Sequence, residues 1–136
     1  MANLFVHFTV KPGAEAAFED FCRGIYGASH AAEPDLVRYE YWRGAADRTY
    51  YALLSFPDYR SFLQHQASPH HEQLAGGFRD LCESARFEWI DPVPGAAPLA
   101  ATRMQEPSAD ASELERMYAQ RMPAEVQPWW VALSGD

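Results

Sequence analysis

What constrains this chain most is a change of hydrophobic period, from two to 3.6 and back, repeated along most of its length. In "NLFVHFTV", residues 3–10, Leu4, Val6, Phe8 and Val10 fall on one side of an extended backbone. Phe5, His7 and Thr9 fall on the other. Lys11-Pro12-Gly13 is a turn signal, after which Phe18, Phe21, Cys22 and Ile25 recur at i, i+3, i+4 and i+7. That spacing predicts an amphipathic helix over roughly 14–32, broken by Glu33-Pro34-Asp35. "LVRYEYWR" returns to period two, with Val37, Tyr39 and Tyr41 opposite Arg38, Glu40 and Trp42. "GAAD" then turns the chain into a second strand of a hairpin, "TYYALLSF", residues 49–56.

A short helix follows Pro57 and carries Tyr59, Phe62 and Leu63. Ser68-Pro69 reads as a new helix start, serine at the N-cap and proline at the first helical position. Leu74, Phe78, Leu81 and Cys82 form that helix's apolar stripe, and "ARFEWIDPV" supplies a fourth strand. The order β-α-β-β-α-β predicts an α+β, ferredoxin-like unit over residues 1–93. Residues 94–136 begin with the Pro/Ala-rich "PVPGAAPLAATRMQEP" and continue as a helical extension capped by Ser108 or Ser112. Leu114, Met117, Tyr118 and Met122 lie at helical spacing there. Trp129 or Trp130 is expected to dock on the body or on a partner subunit.

A two-helix, one-sheet unit covers one sheet face only. Phe5, Tyr51, Leu53 and Trp42 load the other face with apolar bulk, which predicts sheet-to-sheet homodimerisation or a covering tail. With 136 residues the chain has length for one compact domain. Its formal charge of −8 disfavours nucleic acid and anionic membrane surfaces as partners. No signal peptide or membrane span is read in the sequence. Cys22 and Cys82 read as small core residues in a reducing compartment, so a cytoplasmic protein is expected. Aromatics at 14% suit either a thick core or a pocket for something flat.

The chemistry-bearing segment is "HQASPHHEQL", residues 65–74. A metal is disfavoured by spacing: His65 and His70 are five apart with Pro69 between them, and His70 and His71 diverge by about 100° on a helix. No carboxylate or cysteine in the linear sequence completes a ligand set. His71, followed by Glu72 in a first helical turn, reads as polar surface. Tyr39 and Tyr41 should face the helices, as core or as residues that orient a substrate oxygen. Arg86 is a strand arginine that could meet an anionic substrate, or simply solvent.

"VKPGAEAAFEDF", "EPDLVRYEYWRG", "YYALLSF" and "FLQHQASPHHEQL" together resemble antibiotic biosynthesis monooxygenase domains and their quinol-monooxygenase relatives. The resemblance runs through Val93. It implies a dimeric α/β barrel with a pocket between sheet and helices, and, in several members, oxidation of phenols, anthrones or quinols by O2 without metal or flavin. It places His65 in the pocket, where an imidazole with an ordinary pKa of about 6.5 suits the role of base, with His70 as its partner. Ser61, Phe62, Tyr39, Tyr41, His71 and Arg86 are the expected substrate contacts.

This chain departs from the family pattern in having Ser55 and Pro57 where members often carry Glu and Trp. Val6, His65 and Ala75 stand at the positions used by the haem-degrading branch, which disfavours that reaction. Ser61 and His65 stand near the Asn and Trp of anthrone-oxidising members. The reading is a cofactor-independent monooxygenase acting on a small aromatic substrate. Its alternatives are a non-catalytic ligand-binding or stress-associated dimer, and a cofactor-free isomerase.

Overall fold

The computed structural model describes residues 1–127; Trp129 and Trp130 lie outside the described residues. The element order is β1 (Ala2–Val10), α1 (Glu15–Ala32), β2 (Arg38–Arg43), β3 (Thr49–Phe56), α2 (Tyr59–Gln66), α3 (Pro69–Leu81), β4 (Cys82–Trp89) and α4 (Glu113–Arg121). The four strands form one antiparallel sheet in the order β2-β3-β1-β4. This is the α+β, ferredoxin-like arrangement.

The parity of β1 sets the core. Leu4, Val6, Phe8 and Val10 are buried beneath the helices, and the register adds Tyr50, Ala52, Leu54 and Phe56 of β3 to the same layer. Phe18, Cys22 and Ile25 close on it from α1. Gly13 takes a φ of 79° in the turn before α1, a left-handed conformation that glycine adopts without strain. The expected Ser68 cap is formed, and the structure adds one at Asp58. Asp58 accepts from Ser61 N at the start of α2, and Ser68 accepts from His71 N with Pro69 in the first turn of α3.

Two boundaries move. β2 begins at Arg38, two residues later than its apolar run. β4 begins at Cys82 directly after α3, three residues earlier than "ARFEWIDPV", so Cys82 opens a strand and is not the last rung of a helical stripe. The stripe itself is only half-buried at Leu74, Phe78 and Leu81, and Phe78 borders a cavity beneath α3.

The chain beyond β4 lies against the body over its described part. Asn3 Nδ2 donates to Ala100 O at 2.9 Å, Thr102 Oγ1 to Ile90 O at 2.8 Å, and Arg60 Nε to Glu106 O at 2.9 Å. Ser112 and Glu115 form a reciprocal capping box at the start of α4. At its end the Tyr59 hydroxyl donates to Met122 O at 2.8 Å.

Candidate active site

A cavity of about 590 Å³ opens between the helix-facing side of the sheet and α3. Leu4, Val6, Phe8, Ala52 and Leu54 form its apolar floor, Tyr39 and Tyr41 one wall, and His71, Ala75 and Phe78 its roof. Tyr118, Arg121 and Met122, at and just beyond α4, stand at its margin. Its size and mostly apolar lining match a site for a small, flat molecule.

Few polar groups reach it. The Tyr41 hydroxyl donates to the Tyr39 hydroxyl at 3.2 Å. Burial holds both phenols well above their ordinary range, so both stay protonated and can hydrogen-bond an oxygen in the cavity. His71 is buried, and desolvation, then the nearby His65, push its imidazole down to about 4. It is neutral at physiological pH and offers one lone pair.

His65 stands behind this wall. It is 1% exposed, with its ring 5.1 Å from those of Tyr39 and Phe56 and 5.0 Å from that of His71. Its Nδ1 hydrogen-bonds Glu33 Oε1 at 2.7 Å, and its Nε2 is buried without a partner among the described residues. His70 Nε2 meets the same Glu33 oxygen, also at 2.7 Å. Burial raises Glu33, but the hydrogen bonds from His65 and His70 outweigh it and hold the carboxyl below its ordinary range. The three residues border a second, outer groove of about 390 Å³, shared with Asp35, Ser61 and Gln64. Their two imidazole nitrogens and one carboxylate oxygen all lie within 4.8 Å of one another, a set able to hold a metal ion.

Several expectations are corrected by these positions. His71 is not helix-start surface: α3 packs it inward over the sheet, where it borders the cavity. His65 and His70 border the outer groove, with His65 one residue removed from the cavity. Ser61 lines that groove too, its hydroxyl on Asp58 at 3.0 Å. Phe62 is fully buried against Phe56, Tyr59 and Trp89, and so is core. Arg86 pairs with Glu88 on the opposite sheet face and does not reach the cavity. The absence of a completing carboxylate is also corrected, since Glu33 supplies one. Its signal in the sequence was only the helix-breaking Glu33-Pro34; nothing in the spacing ties position 33 to 65 and 70.

The sequence model of the antibiotic biosynthesis monooxygenase family matches residues 1–76, which include Glu33 and all three of these histidines. No curated protein matches the chain. Among solved structures, one described as an antibiotic biosynthesis monooxygenase is 19% identical, with a TM-score of 0.63 over 69% of this chain and 100% of its own. A Pseudomonas aeruginosa protein is 20% identical, with a TM-score of 0.61 over 68% of this chain and 93% of its own. A Mycobacterium tuberculosis protein is 14% identical, with a TM-score of 0.63 over 71% and 98%. At these identities the structures establish a shared fold and no more. The family model, by contrast, spans more than half of the sequence and every strand and helix through the first half of α3, and on that ground the chain belongs to the antibiotic biosynthesis monooxygenase family.

Proposed function

We propose that this chain is a cofactor-independent monooxygenase that oxidises a small electron-rich aromatic, a phenol, quinol or anthrone-like molecule, with O2 in the cavity beneath α3. The observation that carries this reading is the cavity itself: an apolar, aromatic-walled space with a phenol pair and a neutral imidazole in its lining, and with Gln66, Arg79, Glu83 and Arg121 also bordering it. Such a substrate needs no outside reductant. Its ring C–H carbon becomes a carbonyl, and its O–H carbon becomes a second one. One atom of O2 enters the product, and the other leaves as water with the two hydrogens.

In this reading the base expected at His65 is instead His71, the imidazole that borders the cavity. An imidazole near 4 is a poor base for an ordinary phenol. Loss of an electron to O2, however, turns the phenol O–H into a strong acid, so a weak acceptor suffices if proton and electron leave together. Tyr39 and Tyr41 orient the substrate oxygen, and the dry lining protects the radical pair from water. His65 positions His71 from behind. Residues 1–93 carry the reaction, and 94–136 form an extension that narrows the cavity through Tyr118, Arg121 and Met122. The assembly is a homodimer through the open sheet face. The free thiols of Cys22 and Cys82 fit a cytoplasmic setting.

The test is O2 uptake by metal-stripped protein with chelator present, against a panel of hydroquinones and anthrones. Saturable uptake is expected, with one atom of labelled O2 in the product. Ala75→Phe, which fills the roof of the cavity, should abolish uptake while leaving the fold intact by circular dichroism. Tight aromatic binding without uptake would replace this reading with the ligand-binding one, and turnover without O2 would replace it with the isomerase.

A further inference from the structure

Glu33, His65 and His70 come from three different elements and meet at one point. Glu33 is the C-cap residue just beyond α1, His65 lies in the last turn of α2, and His70 in the first turn of α3. The helix break at Ala67-Ser68 lies between the two histidines, so the spacing rule for a single helix does not apply to them. One carboxylate oxygen holds both imidazoles at 2.7 Å. Their side chains are sheltered without being sealed: 0% exposed at His65, 18% at His70 and 20% at Glu33. The outer groove gives access from solvent.

We propose that Glu33, His65 and His70 form a binding site for a divalent transition-metal ion of the zinc or ferrous class, with its open coordination positions facing the outer groove. Two imidazoles and one carboxylate suit such ions, whereas magnesium and calcium prefer oxygen alone. Metal bonds of about 2.0–2.2 Å in a tetrahedral array set the ligand atoms roughly 3.3 Å apart. Glu33 therefore has to withdraw by about 0.6 Å from each ring, toward the groove it already borders.

A second feature points the same way. His65 Nε2 and His71 Nδ1 are both buried without partners among the described residues, on rings 5.0 Å apart. With the Glu33 carboxylate as acceptor, the ring hydrogen of neutral His65 is assigned to Nδ1. A metal on Nδ1 moves that hydrogen to Nε2, giving His65 a donor to direct toward the bare acceptor of its neighbour, in the manner of the outer-shell partners that orient ligating histidines. This site lies on the far side of His65 from the cavity, and O2 uptake is measured on metal-stripped protein, where the acceptor of His71 is not taken by His65, so the two readings are tested separately.

The experiment is calorimetric titration of the tag-free, metal-stripped, full-length protein with Zn2+, and titration with Co2+ followed by visible absorption. One equivalent should bind, with Co2+ giving the bands of a four- or five-coordinate nitrogen–oxygen site and Zn2+ raising the melting temperature. Glu33→Gln and His70→Ala should each weaken binding by at least about 100-fold. His71→Ala, which removes the neighbouring ring but no ligand, should keep the stoichiometry at one. His65→Ala is set aside as the variant most at risk of unfolding. Absence of binding, or equal binding by wild type, Glu33→Gln and His70→Ala, would overturn the site, whatever O2 uptake shows.

Discussion

Cys22 and Cys82 show what burial does to a single side chain here. Desolvation raises the Cys22 thiol to about 12 and the Cys82 thiol to about 11, so almost no thiolate forms near neutral pH. At pH 8 both should react with a thiol reagent far more slowly than free cysteine, and both should react fully in denaturant. Rapid labelling of either in the native protein would place it in a more open setting. The cysteines were legible from their apolar helical spacing, even though Cys82 proved to open a strand. The histidines were less so. His65 and His70 stood out by type, but their partner Glu33 lies 32 and 37 residues earlier and is brought to them only by tertiary packing. His71 illustrates the same limit. Its neighbour Glu72 and its place in a first turn suggest surface, and only the position of α3 above the sheet turns it inward.

Among the elements, α3 is the one whose sequence least resembles its role. It carries Gly76 and Gly77 in mid-helix, each a cost of about 1 kcal/mol against alanine. The structure separates them. A Cβ on Gly77 would come within 2.5 Å of Phe21 Cε2, so its absence lets α1 and α3 approach and lets Phe21 meet Phe78 edge-on at 4.5 Å. A Cβ on Gly76 would meet nothing within 4 Å. Gly76→Ala should therefore stabilise the fold by about 0.5–1 kcal/mol, and Gly77→Ala should destabilise it by about 1–3 kcal/mol through overpacking. Urea denaturation of the two variants beside wild type checks both signs; equal shifts in the same direction would mean that the α1–α3 contact is looser than described. The other elements were easier to read. The face parity of β1, the hairpin turn into β3 and the Ser68-Pro69 start are local signals that packing did not override. The start of β4 was not legible, because Cys82, Glu83 and Ser84 continue the chain from α3 with no turn residue to mark the change.

At the scale of the whole molecule, the helices cover one face of the sheet and leave the other with an apolar centre. On that face Phe5 stacks on Tyr51 with ring centroids 5.5 Å apart, Leu53 is Phe5's partner in the register, and Trp42 is 58% exposed. The polar groups around this centre already pair within the chain: Arg38 with Glu40 at 3.1 Å and Arg86 with Glu88 as ion pairs, and the His7 ring with Glu88 at 3.3 Å as a hydrogen bond. A self-complementary apolar centre flanked by paired polar groups fits an isologous two-fold contact, which buries the patch without stranding an ion. A stable contact of this kind needs roughly 1,200–2,000 Å² of total buried surface, the scale of two sheet faces laid together. Light scattering at micromolar concentration should thus give twice the 15.4 kDa chain mass. Leu53→Arg should shift the protein to monomer, because two unpaired guanidinium groups would meet near the symmetry axis. The same change lies on the far face of the sheet from the cavity, so aromatic binding should persist in the monomer. A wild-type monomer at that concentration would rule the dimer out, and a Leu53→Arg dimer would move the contact to another surface.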